Sequence, residues 1–297
     1  MTILLTGASG FVGSFVQRQI PCIPFDHAAQ QVELRDAVAV RLAIEQVRPD
    51  AVIHLAGQSY VPASFENPRE TYDINFLGTL NLLVALKESG FRGRMLFVGS
   101  GDTYGLVPEA RLPITEDLPL RPRSPYAVSK VAAEALCYQW SQAEDFAVVM
   151  TRSFNHIGPG QSERFVVSDF ARQVIEIRKG RREPVLKVGD IDVTRDFTDV
   201  RDAAAAYALL LEHGHNGEIY NVCSGAEHTV RSILARLLQL SNVNARIEQD
   251  PTRLRIGEQR RLRGSYEKLR RDTGWDPAIS IDQSLSDILQ NWEERLS

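Results

Sequence analysis

Short apolar runs alternate with longer, helix-like segments through the first half of the chain. The runs predict strands near residues 3–6, 22–25, 51–55, 94–98 and 147–151, and the intervening segments predict helices near 11–19, 40–46, 71–89 and 124–143. Strands that are apolar at every position are buried on both faces, which is typical of a parallel sheet covered by helices. The pattern therefore predicts an α/β fold with a doubly wound, Rossmann-type parallel sheet.

After Asn155 the pattern becomes less regular. Helices are predicted near 165–179, 199–212, 229–240 and 281–296, and strands near 185–188 and 219–222. We expect residues 1–155 to form a dinucleotide-binding domain, and we expect the chain to return to this domain over about residues 187–223. Residues 156–186 and 224–297 are expected to form a smaller C-terminal α/β region that binds substrate.

Composition narrows the class of protein. The 297 residues are 43% hydrophobic and 24% charged, as in ordinary soluble proteins. No apolar run approaches the roughly 20 residues that span a bilayer, and the first residues read as a strand and not as a signal peptide. The net charge of −4 argues against nucleic-acid binding. Three scattered cysteines favour neither disulfides nor a metal site, so we expect no metal and a cytoplasmic location.

A glycine-rich segment joins the first strand to the first helix. Gly7, Gly10 and Gly13 bracket Phe11 and Val12, where the helix begins. Glycines serve turns and tight packing elsewhere, but between a strand and a helix they bring a pyrophosphate to the backbone N–H groups of a helix N-terminus. Asp26, at the end of the second strand, can hold a ribose diol or can serve as a cap or turn residue. No arginine follows it directly, so the choice between NADPH and NADH stays open.

Ser100, Tyr126 and Lys130 form a second set. Tyr126 and Lys130 lie four positions apart and therefore share a helix face. An ammonium close to a phenol favours the phenolate, so we expect Lys130 to lower the pKa of Tyr126 and make it an acid/base group. Ser100 follows a strand and can hydrogen-bond a substrate carbonyl. Each residue also has a structural interpretation, as turn chemistry, packing or surface charge, but together with the glycine segment they indicate hydride chemistry.

Five arginines crowd a short stretch near the C-terminus: Arg253, Arg255, Arg260, Arg261 and Arg263. Such a cluster is either a solvated face or a pocket for an anionic substrate. The charge of these residues alone favours neither the solvated face nor the anion pocket.

Several segments together resemble an extended short-chain dehydrogenase/reductase of the nucleotide-sugar type. The resemblance rests on residues 6–13, 54–57 and 75–79 and on the set Ser100, Tyr126 and Lys130, and it runs over essentially the whole chain. Residues 165–170, 190–197 and 220–225 are similar to the branch that acts on GDP-mannose derivatives.

The resemblance implies a complete site. Catalysis would fall to Ser100, Tyr126 and Lys130. The cofactor would be NADPH, with NADH possible, held by Gly7, Gly10, Phe11, Val12, Gly13, Asp26, Glu33, Leu34, Leu55, Ala56, Gly57 and Lys130. A GDP-linked keto sugar would be held by Ser100, Gly101, Asp102, Asn155, Val166, Arg195, Arg255 and Glu258. Ile256 stands where the family usually has proline after the arginine that matches Arg255.

The implied activity is reduction of the C4 ketone of GDP-4-keto-6-deoxy-D-mannose to GDP-D-rhamnose, with Tyr126 as proton donor. The related 4,6-dehydratases need an additional acid/base, normally Glu, where this chain has the shorter Asp102. A GDP-mannose 4,6-dehydratase is therefore the alternative, and a non-catalytic NAD(P)-binding sensor is a third possibility. The resemblance also implies a homodimer formed through the helices near 71–89 and 126–143.

Overall fold

The computed structural model describes residues 1–25, 32–253 and 259–297. Within these ranges six strands form a parallel sheet: β1 (Ile3–Thr6), β2 (Ile23–Pro24), β3 (Ala51–His54), β4 (Arg94–Ser100), β5 (Ala147–Ser153) and β9 (Ile219–Val222). Their order in the sheet is β2-β1-β3-β4-β5-β9. The order reverses between β1 and β3, and ligands of such sheets bind outside the carboxyl ends of the strands at this point. The predicted doubly wound α/β fold is confirmed.

Helices cover both faces of this sheet. One face is packed by α1 (Phe11–Gln19), α8 (Val200–His213) and α10 (Glu267–Thr273), with a core that includes Leu5, Val16 and Tyr207. The other face is packed by α2 (Ala37–Val47), α5 (Gly78–Glu88) and α6 (Pro125–Ala143), with a core that includes Leu4 and Leu83. Because both faces are covered, the middle positions of the central strands β1, β3, β4 and β5 are apolar, and the polar residues of these strands lie at or near their ends.

A third apolar cluster lies in the C-terminal region and includes Phe170, Leu234 and Trp292. It is built from α7 (Val166–Arg178), α9 (Val230–Ser241), α11 (Ile281–Arg295) and a two-stranded parallel sheet of β7 (Val185–Val188) and β11 (Arg246–Gln249). A small sheet of β6 (Asn155–Ile157), β8 (Thr194–Asp199) and β10 (Glu227–Thr229), with β8 in the middle, completes the region. That this region binds the substrate stays a prediction.

The helix expected over residues 71–89 is interrupted. Short helices α3 (Val61–Glu66) and α4 (Pro68–Tyr72) come first, and a wider π-helical turn at Asp73–Leu77 then precedes α5. π-turns inside helices occur frequently at functional sites, because the extra residue redirects a side chain. Here the turn carries Asn75, a buried residue whose side-chain amide donates to Ser129 of α6.

Candidate active site

The glycine segment folds as a tight cradle at the carboxyl end of β1. Gly7 has a φ of +70°, and a Cβ atom at this position would lie 2.8 Å from the backbone nitrogen of Ala56. A Cβ atom on Gly13 would lie 2.2 Å from the carbonyl oxygen of Gly7. Helix α1 begins at Phe11 after Gly10, and no side chain of the described structure caps its N-terminus. The first N–H groups of this helix therefore remain available, and the cradle fits a dinucleotide pyrophosphate.

One further predicted cofactor segment lies beside this cradle, and another packs against α5. The backbone N–H of Ala56, in the segment 55–57 that follows β3, donates to the Thr6 hydroxyl at 3.1 Å. Leu34 is buried against Gly78, and its carbonyl accepts from Asn81 at 2.8 Å. The neighbouring Glu33 is half-buried and pairs with Arg35. Asp26 lies outside the described residues.

Tyr126 and Lys130 occupy the buried face of α6. Ser124 caps this helix by accepting from the N–H of Ala127 at 3.1 Å, and the proline at the first helical position suits a helix start. The Lys130 ammonium donates to the Val98 carbonyl at 3.0 Å and lies 5.1 Å from the centre of the Phe97 ring. The lysine therefore anchors α6 against β4 beside Gly57, where a Cβ atom added to the glycine would lie 3.4 Å from the ammonium nitrogen.

Ser100 ends β4 directly opposite Ser153 of β5. Its side chain accepts from the N–H of Asp102 at 3.2 Å and caps the 3₁₀ turn Gly101–Tyr104. The Ser100 hydroxyl lies close enough to the phenol of Tyr126 to lower its pKa. The structure thus brings Ser100, Tyr126 and Lys130 to one edge of the sheet, and their catalytic roles stay predictions.

The prediction that the pKa of Tyr126 is lowered by Lys130 is wrong: among the described residues, the surroundings of the phenol raise its pKa. Burial raises the pKa of Tyr126 and the negative charge of Asp102 raises it further, while the nearby Ser100 hydroxyl only partly offsets them. Burial also lowers the pKa of Lys130 to about 8, because the ammonium has left water. The position of the two residues on one helix face does not predict the raised pKa of Tyr126 or the lowered pKa of Lys130. A phenol that stays protonated at neutral pH is suited to give a proton, which is what ketone reduction requires.

Apart from Ser100, Gly101 and Asp102, the predicted substrate residues lie in the C-terminal half of the chain, and only some of them are described. Asn155 is half-buried on β6, and its amide donates to the Asp196 carbonyl at 3.4 Å. Val166 begins α7 and is 40% exposed. Arg195 on β8 donates to the carbonyl oxygens of Thr194 and Gln259 at 2.7 and 2.9 Å. Arg255 and Glu258 lie outside the described residues.

Three arginines of the C-terminal cluster are paired with carboxylates. Arg253 lies 2.6 Å from Asp169, and Arg261 lies 2.6 Å from Glu227. Arg260 pairs with Asp190. These guanidinium groups are therefore already engaged within the protein, which favours the interpretation of a paired, solvated face for this part of the cluster.

Two networks at the site were not identified from the sequence. The first is a buried bidentate ion pair, in which Arg152 of β5 donates to both Glu134 oxygens of α6 at 2.7 and 2.8 Å. The same guanidinium lies 4.8 Å from the ring of Tyr104, which ends the turn after Ser100. Glu134 follows Lys130 by four residues, so the sequence could have placed it on the same helix face, and this spacing was the only hint of the pair. The pair thus holds α6 against β5 and against the turn that follows Ser100.

The second network surrounds Asn75. Its side chain accepts from the N–H of Gln58 at 2.8 Å, and it donates to the Gln58 carbonyl at 3.0 Å and to the Ser129 hydroxyl at 2.9 Å. Ser129 in turn donates to the carbonyl of Tyr126 at 2.7 Å. Asn75 therefore joins the loop after β3 to the first turn of α6.

Membrane spans and metal centres are both missing from the described part of the chain. Among the described residues, no helix is long and apolar enough to cross a membrane. Over those same ranges, His, Cys, Asp and Glu side chains form no group of three or more that could hold a metal ion.

Comparisons with known proteins identify the family and the fold. The family model for GDP-mannose 4,6 dehydratase matches residues 26–288. The chain belongs to this family, a nucleotide-sugar branch of the short-chain dehydrogenases/reductases. Within it, the chain is 49% identical over 297 residues to GDP-6-deoxy-D-mannose reductase of Pseudomonas aeruginosa, covering 99% of this chain and 98% of the relative.

Two solved structures share the fold over nearly the whole chain. The structure of RMD from Pseudomonas aeruginosa complexed with NADPH has a TM-score of 0.92 and 47% identity, covering 99% of both chains. UDP-glucose 4-epimerase of Thermus thermophilus, in complex with NAD, has a TM-score of 0.88 and 31% identity, covering 98% of this chain and 99% of the other.

Proposed function

We propose that this protein reduces the C4 ketone of GDP-4-keto-6-deoxy-D-mannose to GDP-D-rhamnose at the expense of NADPH. The observation that carries the proposal is the 49% identity, over 99% of the chain, to a GDP-6-deoxy-D-mannose reductase. The likeness to a reductase structure complexed with NADPH supports NADPH as the cofactor, with NADH as a possible substitute.

The site residues can perform this reaction without a further acid or base. A bound NADPH would supply the hydride to C4 of the sugar. Tyr126 gives its phenolic proton to the C4 oxygen as the carbonyl becomes an alcohol. The Ser100 hydroxyl, which faces Tyr126, holds the same oxygen and stabilises its developing charge. Lys130, fixed to the Val98 carbonyl, presents its ammonium beside Gly57 for the nicotinamide ribose.

The sugar nucleotide is proposed to reach this edge from the C-terminal region. Asn155 and Val166 stand at the start of that region, and the 3₁₀ turn with Gly101 and Asp102 borders Ser100. Guanidinium groups suit diphosphate oxygens and a carboxylate suits ribose hydroxyls, so Arg195, Arg255 and Glu258 are proposed to hold the GDP moiety. These roles rest on the resemblance of the segments.

A GDP-mannose 4,6-dehydratase is the second candidate, because the matching family model carries that description. The observation that bears on it is the carboxylate of Asp102, whose charge acts on Tyr126. A dehydratase needs such a group to remove a sugar proton, yet aspartate is one methylene shorter than the usual glutamate. A misplacement of about 1 Å can cost 10²-fold in rate, so the shorter side chain favours the reductase.

Mixing the protein with the keto sugar and NADPH, or NADH, tests the proposal through nicotinamide absorbance and NMR of the product. Oxidation of the cofactor with formation of GDP-D-rhamnose is expected, faster with NADPH. Conversion of GDP-mannose to the keto sugar without added reductant would instead identify a dehydratase. Binding of NADPH with no turnover of either sugar would identify a sensor.

We propose that two chains associate through α5 and α6. Val84 and Val128 on these helices are 36% and 39% exposed, and Leu77, in the turn that precedes α5, is 43% exposed. These side chains leave an apolar surface for a second copy. Light scattering should report a dimer, and the double change Val84→Glu with Val128→Glu should give a monomer. Val38→Glu, at a 60% exposed position on α2, is the control that should leave the mass unchanged.

A reducing, cytoplasmic location is also proposed, because Cys22, Cys137 and Cys223 are all free.

A further inference from the structure

A buried histidine lies among hydroxyl groups where the sheet order reverses. His54 is the last residue of β3 and stands opposite Thr6, the last residue of β1. It is 2% exposed. Its Nδ1 atom lies 2.7 Å from the Thr6 hydroxyl, and its Nε2 atom lies 3.0 Å from the Thr79 hydroxyl of α5. Both ring nitrogens are therefore engaged between the glycine cradle and α5.

The partners of this ring fix where its proton lies. The Thr79 hydroxyl donates to the Asn75 carbonyl at 2.7 Å, since a carbonyl can only accept. Thr79 must therefore accept from Nε2–H, which leaves Nδ1 as an acceptor for the Thr6 hydroxyl. The Thr6 oxygen in turn accepts from the N–H of Ala56 at 3.1 Å. Every hydroxyl proton in the chain then has one acceptor, and His54 is the neutral tautomer with its proton on Nε2.

The charge state agrees with this arrangement. Burial lowers the pKa of His54 to about 3, and the positive charge of Lys130 contributes to the shift. The rings of His54 and Phe97 lie 6.0 Å apart, and Phe97 also contacts the Lys130 ammonium. A protonated histidine here would place a second cation near Lys130, so the neutral form is the one that the site can hold.

The chain of hydrogen bonds continues from Thr79 to the catalytic helix. The Asn75 residue that accepts from Thr79 uses its own amide to bind Gln58 and Ser129. Ser129 donates to the carbonyl of Tyr126. A continuous line of contacts thus links the end of β1 to the residue that gives the proton.

We propose that His54 is a positioning residue: as the Nε2-protonated tautomer it holds Thr6 and Thr79, and through Asn75 and Ser129 it sets the position of Tyr126 relative to the dinucleotide cradle. The inference rests on the reductase activity proposed above. It assigns no contact with substrate to His54. Its consequence is that loss of the ring should disturb cofactor binding and the chemical step while leaving the binding of the keto sugar nearly unchanged.

The first experiment is a double-mutant cycle with His54→Leu, Thr79→Val and the double variant. A misplacement of the donor by about 1 Å corresponds to a loss of about 10²-fold in kcat, and we expect losses approaching this in both single variants. The kcat of the double variant should be no lower than that of the more impaired single variant, because both changes interrupt the same chain of hydrogen bonds. The dissociation constant of NADPH should rise in His54→Leu, while KM for the keto sugar stays within about twofold.

Two further variants separate positioning from general stability. His54→Gln keeps an N–H for Thr79 and an acceptor for Thr6, and should recover most of kcat. Thr198→Val is the matched control, because Thr198 is a buried threonine of β8 whose hydroxyl has no partner among the described residues. It should leave kcat and NADPH affinity as in the wild type. Additive losses in the double variant, or an unchanged kcat in His54→Leu, would overturn the proposal.

A measurement on the unmodified protein keeps the proposal testable if a variant fails to fold. Nitrogen-15 NMR of labelled histidines distinguishes the two neutral tautomers and the charged form. The Nε2-protonated neutral form of His54 is expected between pH 5 and pH 8, and the other tautomer or a charged ring would refute the inference. If the wild type reduces no keto sugar, the proposed function fails, and the tautomer and the NADPH affinities still decide the role of His54.

Discussion

Replacing Tyr126 by phenylalanine removes the proposed proton donor and keeps the ring. The side chain is 8% exposed, so the ring continues to fill its place beside Ser100. The change removes only the hydroxyl group, and the loss of one hydrogen-bonding group costs about 1 kcal/mol of stability in a typical case. We therefore expect the variant to fold and to bind NADPH with nearly the affinity of the wild type.

The effect on rate follows from what the phenol does. A positioned general acid typically contributes 10²- to 10⁴-fold, which corresponds to about 3 to 5 kcal/mol in the activation free energy. Burial and the charge of Asp102 raise the pKa of Tyr126, so the wild-type group is protonated and available at neutral pH. We expect kcat of Tyr126→Phe to fall within this range, with KM for the keto sugar little changed.

The assay is the loss of NADPH absorbance at saturating keto sugar, together with NADPH titration by nicotinamide fluorescence. Tyr138→Phe is the matched control, since Tyr138 lies on the same helix and is 52% exposed. It should keep the wild-type rate. Should Tyr126→Phe retain more than about a tenth of kcat while binding NADPH normally, the assignment of Tyr126 as donor would be wrong.

Three other predictions follow from the site and its supports. Because the pKa of Lys130 is lowered to about 8, its ammonium loses its proton as the pH rises through this value. We therefore expect kcat/KM for NADPH to fall above pH 8, and the variant Lys130→Met should not show this fall in its pH profile. Gly13→Ala places a Cβ atom 2.2 Å from the Gly7 carbonyl oxygen, so calorimetry should show a lower Tm and titration a weaker affinity for NADPH. Glu134→Ala leaves Arg152 buried without its partner, and urea unfolding should show a loss of about 3 to 5 kcal/mol; a loss below about 1 kcal/mol would contradict the role given to the pair.

The sheet and its main helices could be predicted because they follow from local patterns. Strands β1 and β3 are fully buried along their length, and the helix that opens on the glycine cradle begins at Phe11 as expected. The small sheet of β6, β8 and β10 was missed because its strands are short and carry many polar residues, whose pairing depends on distant parts of the chain. The predicted helix over 71–89 overlooked the π-turn for a related reason, since its apolar spacing continues on both sides of the turn.

The candidate site was predictable in its residue types and less so in its electrostatics. The four-residue spacing predicts that Tyr126 and Lys130 share one helix face. The direction of the pKa shift of Tyr126 depends on its burial and on the charge of Asp102, and the spacing gives no information on either. The engagement of Asn75 with Ser129 likewise joins residues far apart in the chain. Such contacts become visible only when the strands and helices are placed together.

Transfer of deuterium from NADPH labelled at the reactive nicotinamide carbon tests the central claim most directly. We predict that each molecule of oxidised cofactor yields one molecule of GDP-D-rhamnose with deuterium at C4 of the sugar, as NMR would show. A product without the label at C4, or conversion of sugar without net oxidation of NADPH, would contradict the assignment of this protein as a ketone reductase.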